Sequence, residues 1–146
     1  MMSKTGVHAL TALAALAKLS NGDYAGAGDL AKTIGAPPNY LGKLLKTLSH
    51  EGLLESQKGK GGGFRLARNP ATITLLDVME PVARVSRWTG CFLGRATCSD
   101  QDPCALHLRW GKARDAYFQF LSETTVADLA AQFRPSAHLI ANGIEP

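Results

Sequence analysis

The sequence contains no hydrophobic run long enough to cross a membrane. A spanning helix needs about 20 consecutive apolar residues, whereas the longest apolar run here covers only residues 12–17. The N-terminus also lacks the charged, apolar and small-residue succession of a secretory signal peptide. We therefore expect a cytoplasmic protein that makes no contact with a membrane.

Cysteine is missing from all but one short segment. All three cysteines lie between residues 91 and 104. Thiols stay reduced in the cytosol, and three cysteines cannot all pair with one another within one chain. A metal site or a reactive thiol is therefore favoured over a structural disulfide.

Acidic residues are scarce in the first half of the chain. Residues 1–70 contain nine Lys and Arg against four Asp and Glu, a balance of +5, while residues 71–146 contain seven against eight, a balance of −1. The two halves add up to the net charge of +4. A basic half of this kind is typical of proteins that bind a polyanion.

Apolar side chains recur at helical spacing in the first 50 residues. They predict an amphipathic helix over residues 5–19 and a shorter one over residues 27–34 that ends at Gly35. The turn GAPP then leads into NYLGKLLKTLSHEGLL, where Pro38 suits the first turn of a third helix because its missing N–H costs nothing there. Two short helices joined by a glycine-containing turn indicate a helix-turn-helix.

A basic, glycine-rich hairpin is predicted directly after these helices. The stretch LLESQKGKGGGFRLAR places two short runs around a tip whose glycines allow a tight turn. A helix-turn-helix followed by such a hairpin is a winged helix. Thr74 and Asp77 then predict the start of a bracing helix, and Pro81 predicts its end.

The second helix of a helix-turn-helix enters the major groove of DNA with the residues outside its apolar stripe. Asparagine can pair with adenine, lysine can reach guanine or phosphate, and bare glycine backbone can approach a sugar-phosphate chain closely. The wing lacks the GxxxxGK(S/T) pattern of a nucleotide loop; the alternative interpretation is a solvated, lysine-rich face. The predicted DNA contacts are Asn39, Tyr40, Lys43, Lys46, Thr47, Lys58, Lys60, Gly61, Gly62 and Arg65.

The cysteines and one histidine form the pattern C-x6-C-x5-C-x2-H, made by Cys91, Cys98, Cys104 and His107. Three thiolates and an imidazole suit zinc or an iron-sulfur cluster, whereas hard cations prefer oxygen ligands. Three alternatives stay open. The thiols could be small buried hydrophobes, the site could be a zinc finger, although such fingers usually separate the last Cys and His by three residues, and His107 could be an exposed helix residue.

A long helix with an aromatic stripe follows the cysteines. Such a stripe, far from the N-terminal core, predicts pairing with a second copy of the chain. Thr125 and Asp128 predict a last short helix. The stripe is formed by Leu106, Trp110, Ala113, Tyr117, Phe120 and Leu121.

These patterns predict a mainly α fold with a small β-hairpin: a winged helix-turn-helix domain plus a long C-terminal dimerisation helix. The expected divisions are a DNA-binding domain over residues 1–85, a cysteine-rich loop over 86–107, a dimerisation region over 104–135 and a loose tail over 136–146.

The chain resembles the Rrf2 family of bacterial transcriptional regulators over about residues 5–131. The matching stretches are YLGKLLKTLSHEGLLES, KGKGGGFRLAR, ITLLDVMEPV, the cysteine triplet ahead of a long helix, and TTVADLA. The resemblance implies a non-enzymatic homodimer that binds a palindromic double-stranded DNA operator and senses iron-sulfur status, redox state or nitric oxide through an iron-sulfur cluster. It implies Cys91, Cys98, Cys104 and His107 as cluster ligands, with a 2Fe-2S site favoured and a 4Fe-4S site possible.

Two departures from the family pattern bear on cluster type and operator sequence. The first cysteine gap is longer than in better-known members, and Gly42 stands where related members carry a longer polar residue. Some members take a fourth ligand from the N-terminal helix of the partner subunit, where His8 is the only candidate here; the favoured interpretation places His8 at the helix surface instead. The competing hypotheses are a zinc-stabilised RNA-binding or scaffold protein and, more weakly, a redox enzyme, since no acid/base constellation accompanies the cysteines.

Overall fold

The computed structural model describes residues 3–19 and 22–134, so the predicted tail over 136–146 lies outside the described residues. It is mostly helical with one two-stranded antiparallel hairpin, which confirms the predicted fold class. In the described residues, no helix combines the length and the apolar character that a membrane crossing requires. The elements are α1 (Lys4–Ala17), α2 (Ala27–Ile34), α3 (Pro38–His50), β1 (Leu54–Gln57), β2 (Gly63–Leu66), α4 (Leu75–Ala83), α5 (His107–Glu123) and α6 (Val126–Ala131).

Helix α1 lies at the centre of the core. It contacts α2, α3, α4 and α6, and its Ala- and Leu-rich sequence buries nearly every residue from Gly6 to Leu16. Gly6 allows α4 to approach closely, because a Cβ at this position would lie 2.7 Å from the sulfur of Met79. The helix ends at Ala17, two residues earlier than predicted, and the Lys18 N–H closes its last turn onto the Ala15 carbonyl.

The helix-turn-helix is formed by α2 and α3. Gly35 ends α2 with a φ of 71°, a left-handed conformation that glycine adopts without strain. Pro38 occupies the first turn of α3 as predicted. The buried stripe of α3 consists of Leu41, Leu44, Leu45 and Leu48.

The wing is the hairpin of β1 and β2, in which Gln57 pairs with Gly63 and Glu55 with Arg65. A third short segment joins it, because Ala25 and Phe64 exchange backbone hydrogen bonds of 2.9 and 2.8 Å. Gly63 is required at this crossing, since a Cβ there would lie 2.3 Å from the Ala25 carbonyl oxygen. The loop before α2 therefore fixes the base of the wing.

Helix α4 begins as predicted and ends later than predicted. Thr74 and Asp77 form a reciprocal capping box. The prediction that Pro81 ends the helix is wrong: α4 continues to Ala83 and ends where Arg84 adopts a φ of 47°. Proline removes a single N–H, and the helix continues because Val82 and Ala83 pack against the core and the Arg84 N–H still bonds the Glu80 carbonyl at 3.0 Å.

The C-terminal helices return to the winged-helix core. The predicted capping box of Thr125 and Asp128 begins α6. Backbone bonds from Leu75 to Thr124 (2.9 Å) and from Val126 to Ile73 (2.8 Å) hold the starts of α4 and α6 side by side. Helix α6 packs on α1 and α5 packs on α4.

Candidate DNA-binding surface and metal site

The outer face of α3 carries the predicted DNA contacts. Asn39, Lys43, Lys46 and Thr47 are exposed because the leucine stripe on the opposite side is buried. The two lysines form no ion pair with any other residue that the structure describes. Their charge is therefore available to a polyanion.

Tyr40 is half-buried and lies beneath this face. Its hydroxyl is 3.3 Å from Nδ1 of His8, and the two rings meet edge to face with their centroids 5.5 Å apart. His8 itself is buried in α1. Burial, and then the positive charge of Lys4, lower the pKa of His8. His8 thus packs against Tyr40 of the recognition helix α3.

Gly42 lies on the α3 surface one turn after Asn39 and one turn before Lys46. A Cβ at this position would meet only the Ala27 side chain, at an ordinary 3.9 Å. A Cβ would therefore fit at this half-buried position, so steric crowding at the Cβ does not explain the glycine.

The wing tip presents Lys58, Lys60 and Gly61 to solvent. Gly61 has a φ of 76°, which favours glycine. Gly62 is half-buried, and the fold requires glycine at this position, because a Cβ there would lie 2.2 Å from the Gln57 carbonyl oxygen. The backbone of the loop turns too tightly at this point for any side chain.

Arg65 differs from the other predicted wing contacts because it is engaged within the protein. Two of its nitrogens bind Glu55 at 2.7 and 2.8 Å, and its guanidinium lies 4.5 Å from the centre of the Tyr24 ring. The hydrogen bond to Glu55 is the main cause that raises the pKa of Arg65. Sequence reasoning missed both partners, although Glu55 and Arg65 face each other directly in the hairpin register.

Residues 90–106 form a loop, which we call the cysteine loop, against the first turns of α5. The Trp110 indole N–H donates to the Gly90 carbonyl (2.9 Å), and Arg114 donates to the Thr89 carbonyl (3.2 Å). At the other end, the His107 N–H bonds the Cys104 carbonyl at 3.0 Å. Both ends of the loop are therefore fixed to the same helix.

The loop brings thiols and an imidazole together. The Cys98 sulfur lies 3.3 Å from Nδ1 of His107, and all three cysteines are free and half-buried. Backbone N–H donation by Arg95, assisted by Leu93 and the Arg95 charge, lowers the pKa of Cys91. Burial, followed by the neighbouring charge of Cys91, raises the pKa of Cys98.

This donor set suits a soft metal or an iron-sulfur cluster. Sulfur and imidazole nitrogen are the preferred ligands of such centres, and the N-terminus of α5 adds positive potential beside the thiols. None of the three thiols is fully buried, so packing as small hydrophobes does not explain them. Within the described ranges, no three His, Cys, Asp or Glu side chains already converge in metal-binding geometry.

Much of the apolar surface of α5 is exposed. Leu121 is the only fully buried residue of this helix, and Tyr117 and Phe118 pack against the core. Leu108 and Phe120 keep 75% and 52% of their surface exposed. The predicted aromatic stripe is thus divided, with Tyr117 and Leu121 turned to the core and Phe120 turned to solvent.

Comparison with known proteins identifies the family. The profile of the Rrf2 family, described as iron-dependent transcriptional regulators, matches residues 2–132. The chain belongs to the Rrf2 family. It is a transcriptional regulator with a DNA-binding winged helix, and the zinc-stabilised scaffold and the redox enzyme are not favoured, because the family and its named relatives are transcriptional regulators.

Individual Rrf2 relatives match over most of their length. An HTH-type transcriptional regulator of Aquifex aeolicus is 34% identical over 131 residues, which cover 88% of this chain and 90% of that protein. The HTH-type transcriptional regulator IscR of Escherichia coli is 28% identical and is covered to 78%, with 88% of this chain aligned. Among solved structures, CymR, the global cysteine regulator of B. subtilis, superimposes with a TM-score of 0.75 at 28% identity, covering 92% of this chain and 98% of that one.

Proposed function

We propose that this Rrf2 regulator is a homodimer that binds a palindromic DNA operator and senses iron-sulfur status, redox state or nitric oxide through an iron-sulfur cluster on the cysteine loop. The observation that supports the proposal is the contact of the Cys98 sulfur with Nδ1 of His107, 3.3 Å apart at the start of α5, in a loop that also carries Cys91 and Cys104. Helix α5 packs on α4 of the winged-helix core.

The DNA contacts would come from α3 and from the wing tip. Asn39 and the exposed α3 lysines lie on one face of the recognition helix, and Lys58 and Lys60 are exposed on the wing. Side chains of this kind supply both base contacts and phosphate contacts. Arg65, which is bound to Glu55, would contribute less than these lysines.

The dimer would form through the exposed apolar side of α5. On this helix Leu108 is 75% exposed and Phe120 is 52% exposed. Burying apolar area of this kind favours association. A two-fold dimer presents two recognition helices, so its preferred operator should contain two related half-sites.

Cys91, Cys98 and Cys104 would supply thiolate ligands and His107 an imidazole ligand, a combination that favours a 2Fe-2S site. When bound, such a cluster supplies an iron centre that reacts with oxidants and nitric oxide. Trp110 of α5 donates a hydrogen bond to Gly90, the first residue of the loop, and Arg114 donates one to Thr89, which directly precedes the loop. A change in the order of the loop would therefore move α5, the helix that forms the proposed dimer.

The route from the loop to DNA runs through packed helices. Helix α5 contacts α4, and α4 contacts both α1 and α3. Cluster binding would order the loop and shift α5, and this shift would alter the spacing and tilt of the two recognition helices and wings. The loop would thus act as a disorder-to-order switch.

The test is to purify the protein without oxygen and to measure iron, acid-labile sulfide and the visible spectrum. Duplexes enriched from a random library would then be titrated with the protein before and after the metal is removed with a chelator. We expect iron and sulfide in equal amounts and an affinity change of at least about tenfold, or 1.4 kcal/mol. Zinc without sulfide, or equal affinities, would contradict the proposal.

A further inference from the structure

We infer that Asp100 is a positioning residue that holds His107 in one tautomer and selects Nδ1 as the nitrogen it offers to the cluster. This inference rests on the proposed function, because it concerns a proposed ligand. It is carried by a short relay in the cysteine loop: Nε2 of His107 lies 2.7 Å from Oδ1 of Asp100, and Nδ1 lies 3.3 Å from the sulfur of Cys98.

The contact with Asp100 settles where the imidazole proton resides. An ionised carboxylate only accepts hydrogen bonds, so Nε2 of His107 must carry a proton and donate it. In the neutral imidazole the other nitrogen then has a free lone pair. That nitrogen is Nδ1, which faces the thiol of Cys98.

Burial gives the ring a clear orientation. The His107 side chain is only 14% exposed, whereas that of Asp100 is 95% exposed. The imidazole therefore points Nε2 towards solvent and Nδ1 towards the thiols. Because metal-bound histidines commonly donate their second N–H to a carboxylate, this is the arrangement that a ligand through Nδ1 requires.

Local backbone hydrogen bonds help to place the two residues. The Gln101 N–H donates to the Ser99 hydroxyl at 3.0 Å, which forms a turn around Asp100. His107 is the first residue of α5, and its own N–H bonds the Cys104 carbonyl. Because the Asp100 carboxylate is almost fully exposed, solvent screens its hydrogen bond with His107 and the bond contributes little to folding, so the contact serves orientation more than stability.

Asp102 provides a matched control. It lies two residues further along the same loop, is 92% exposed and pairs with Arg95 at 3.7 Å. Replacing it removes the same charge from the same loop and leaves the His107 contact intact. Asp100→Asn is the conservative variant, because its amide oxygen can still accept from Nε2–H.

The experiment compares wild type with Asp100→Ala, Asp100→Asn and Asp102→Ala. In the protein freed of metal, nitrogen NMR of His107 reports the tautomer. We expect the Nε2–H form in wild type, Asp100→Asn and Asp102→Ala, and a mixture of both tautomers in Asp100→Ala. In the protein as purified anaerobically, we expect Asp100→Ala to lose iron about tenfold faster than wild type and to change the histidine nitrogen couplings in the electron paramagnetic resonance spectrum of the reduced protein.

The inference is overturned if Asp100→Ala keeps the wild-type tautomer, or if Asp102→Ala alters it equally. Iron and sulfide analysis of the wild type decides the proposed function separately. A protein that binds a cluster but shows no tautomer response to Asp100 would refute this inference alone. A protein without a cluster that shows the tautomer response would refute the proposed function and support the role of Asp100 in orienting His107.

Discussion

The winged-helix body, residues 4–85, and the cysteine loop, residues 90–106, are held in place by different forces. In the body, side chains such as Leu13, Leu41 and Leu45 have no exposed surface. In the loop, no residue is fully buried, and order comes from a few hydrogen bonds to α5. The body is therefore held together by apolar burial, whereas the loop is held to α5 by hydrogen bonds.

The largest expected difference between the body and the loop is the loss of unfolding free energy when apolar side chains are shortened. Leu13→Ala should lower the free energy of unfolding by about 2–5 kcal/mol, because it opens a cavity in a closed core. Leu93→Ala, in the loop, should change it by less than about 0.5 kcal/mol, since Leu93 is 59% exposed. Urea denaturation measures both, and equal losses would show that the loop is part of the core.

Removing the thiols of the loop should abolish metal binding while leaving the free energy of unfolding of the body nearly unchanged. Cys91→Ala, Cys98→Ala and Cys104→Ala should each abolish the visible spectrum of the anaerobic protein, because each leaves one iron ligand missing. His107→Ala should give a labile cluster with an altered reduction potential. The metal-free variants should unfold within about 0.5 kcal/mol of wild type, and a cluster that survives loss of any one cysteine would exclude that residue as a ligand.

Charges on the exposed side of α5 should affect assembly while leaving the fold intact. Leu108→Asp and Phe120→Asp should raise the dimer dissociation constant by at least about tenfold, since a buried charge opposes association. Tyr117→Asp should unfold the chain, because Tyr117 packs against the core. Sedimentation across micromolar concentrations tests the first pair, and a wild-type monomer in this range would contradict the dimer.

The sequence predicted the body far better than the loop. Helix periodicity, Pro38 and the capping boxes located α1, α3, α4 and α6 because each signal acts within a few neighbouring residues. Pro81 misled the prediction, because tertiary packing of Val82 and Ala83 outweighs the loss of one backbone bond. The spacing of the cysteines predicts a donor set of three thiols and an imidazole, of which the structure brings Cys98 and His107 into contact; the full set stays a prediction.

The contacts that sequence reasoning missed join residues far apart or lack a pattern. The Ala25–Phe64 bridge and the Tyr24–Arg65 stacking connect the loop before α2 to the wing across some forty residues and have no periodic signal. Asp100 was missed because an acidic residue in a polar loop looks like ordinary solvated charge. Only the distance to His107 distinguishes it from Asp102.

Within the body, the wing lysines and Arg65 should differ in their effect on DNA binding. Lys58→Ala and Lys60→Ala should each reduce the slope of log affinity against log salt by about one, as expected for a lost phosphate contact. Arg65→Ala should change the slope less, because Glu55 already neutralises Arg65. Fluorescence anisotropy at several salt concentrations measures this, and unchanged slopes for both lysines would remove the wing from the interface.

The smallest expected effect concerns the pH dependence of the body. Burial holds the pKa of His8 below its usual 6.5, so the unfolded chain binds a proton more readily than the folded one. The contribution of uncharged His8 to the free energy of unfolding is therefore complete above pH 6.5 and is lost as the pH falls through the pKa of His8 in the folded protein. Denaturation between about pH 7.5 and 5 should show a steeper decline for wild type than for His8→Gln, and parallel curves would show that His8 does not contribute.

We propose that a metal centre bound by the cysteine loop orders the loop and thereby sets the position of the DNA-binding face. Hydrogen exchange of the anaerobic protein, measured with and without its metal, tests this most directly. We predict strong additional protection of residues 90–106 in the metal-bound form, a smaller change in α3 and the wing, and none in the middle of α1. Identical exchange of the loop in the two forms would show that the metal does not order it.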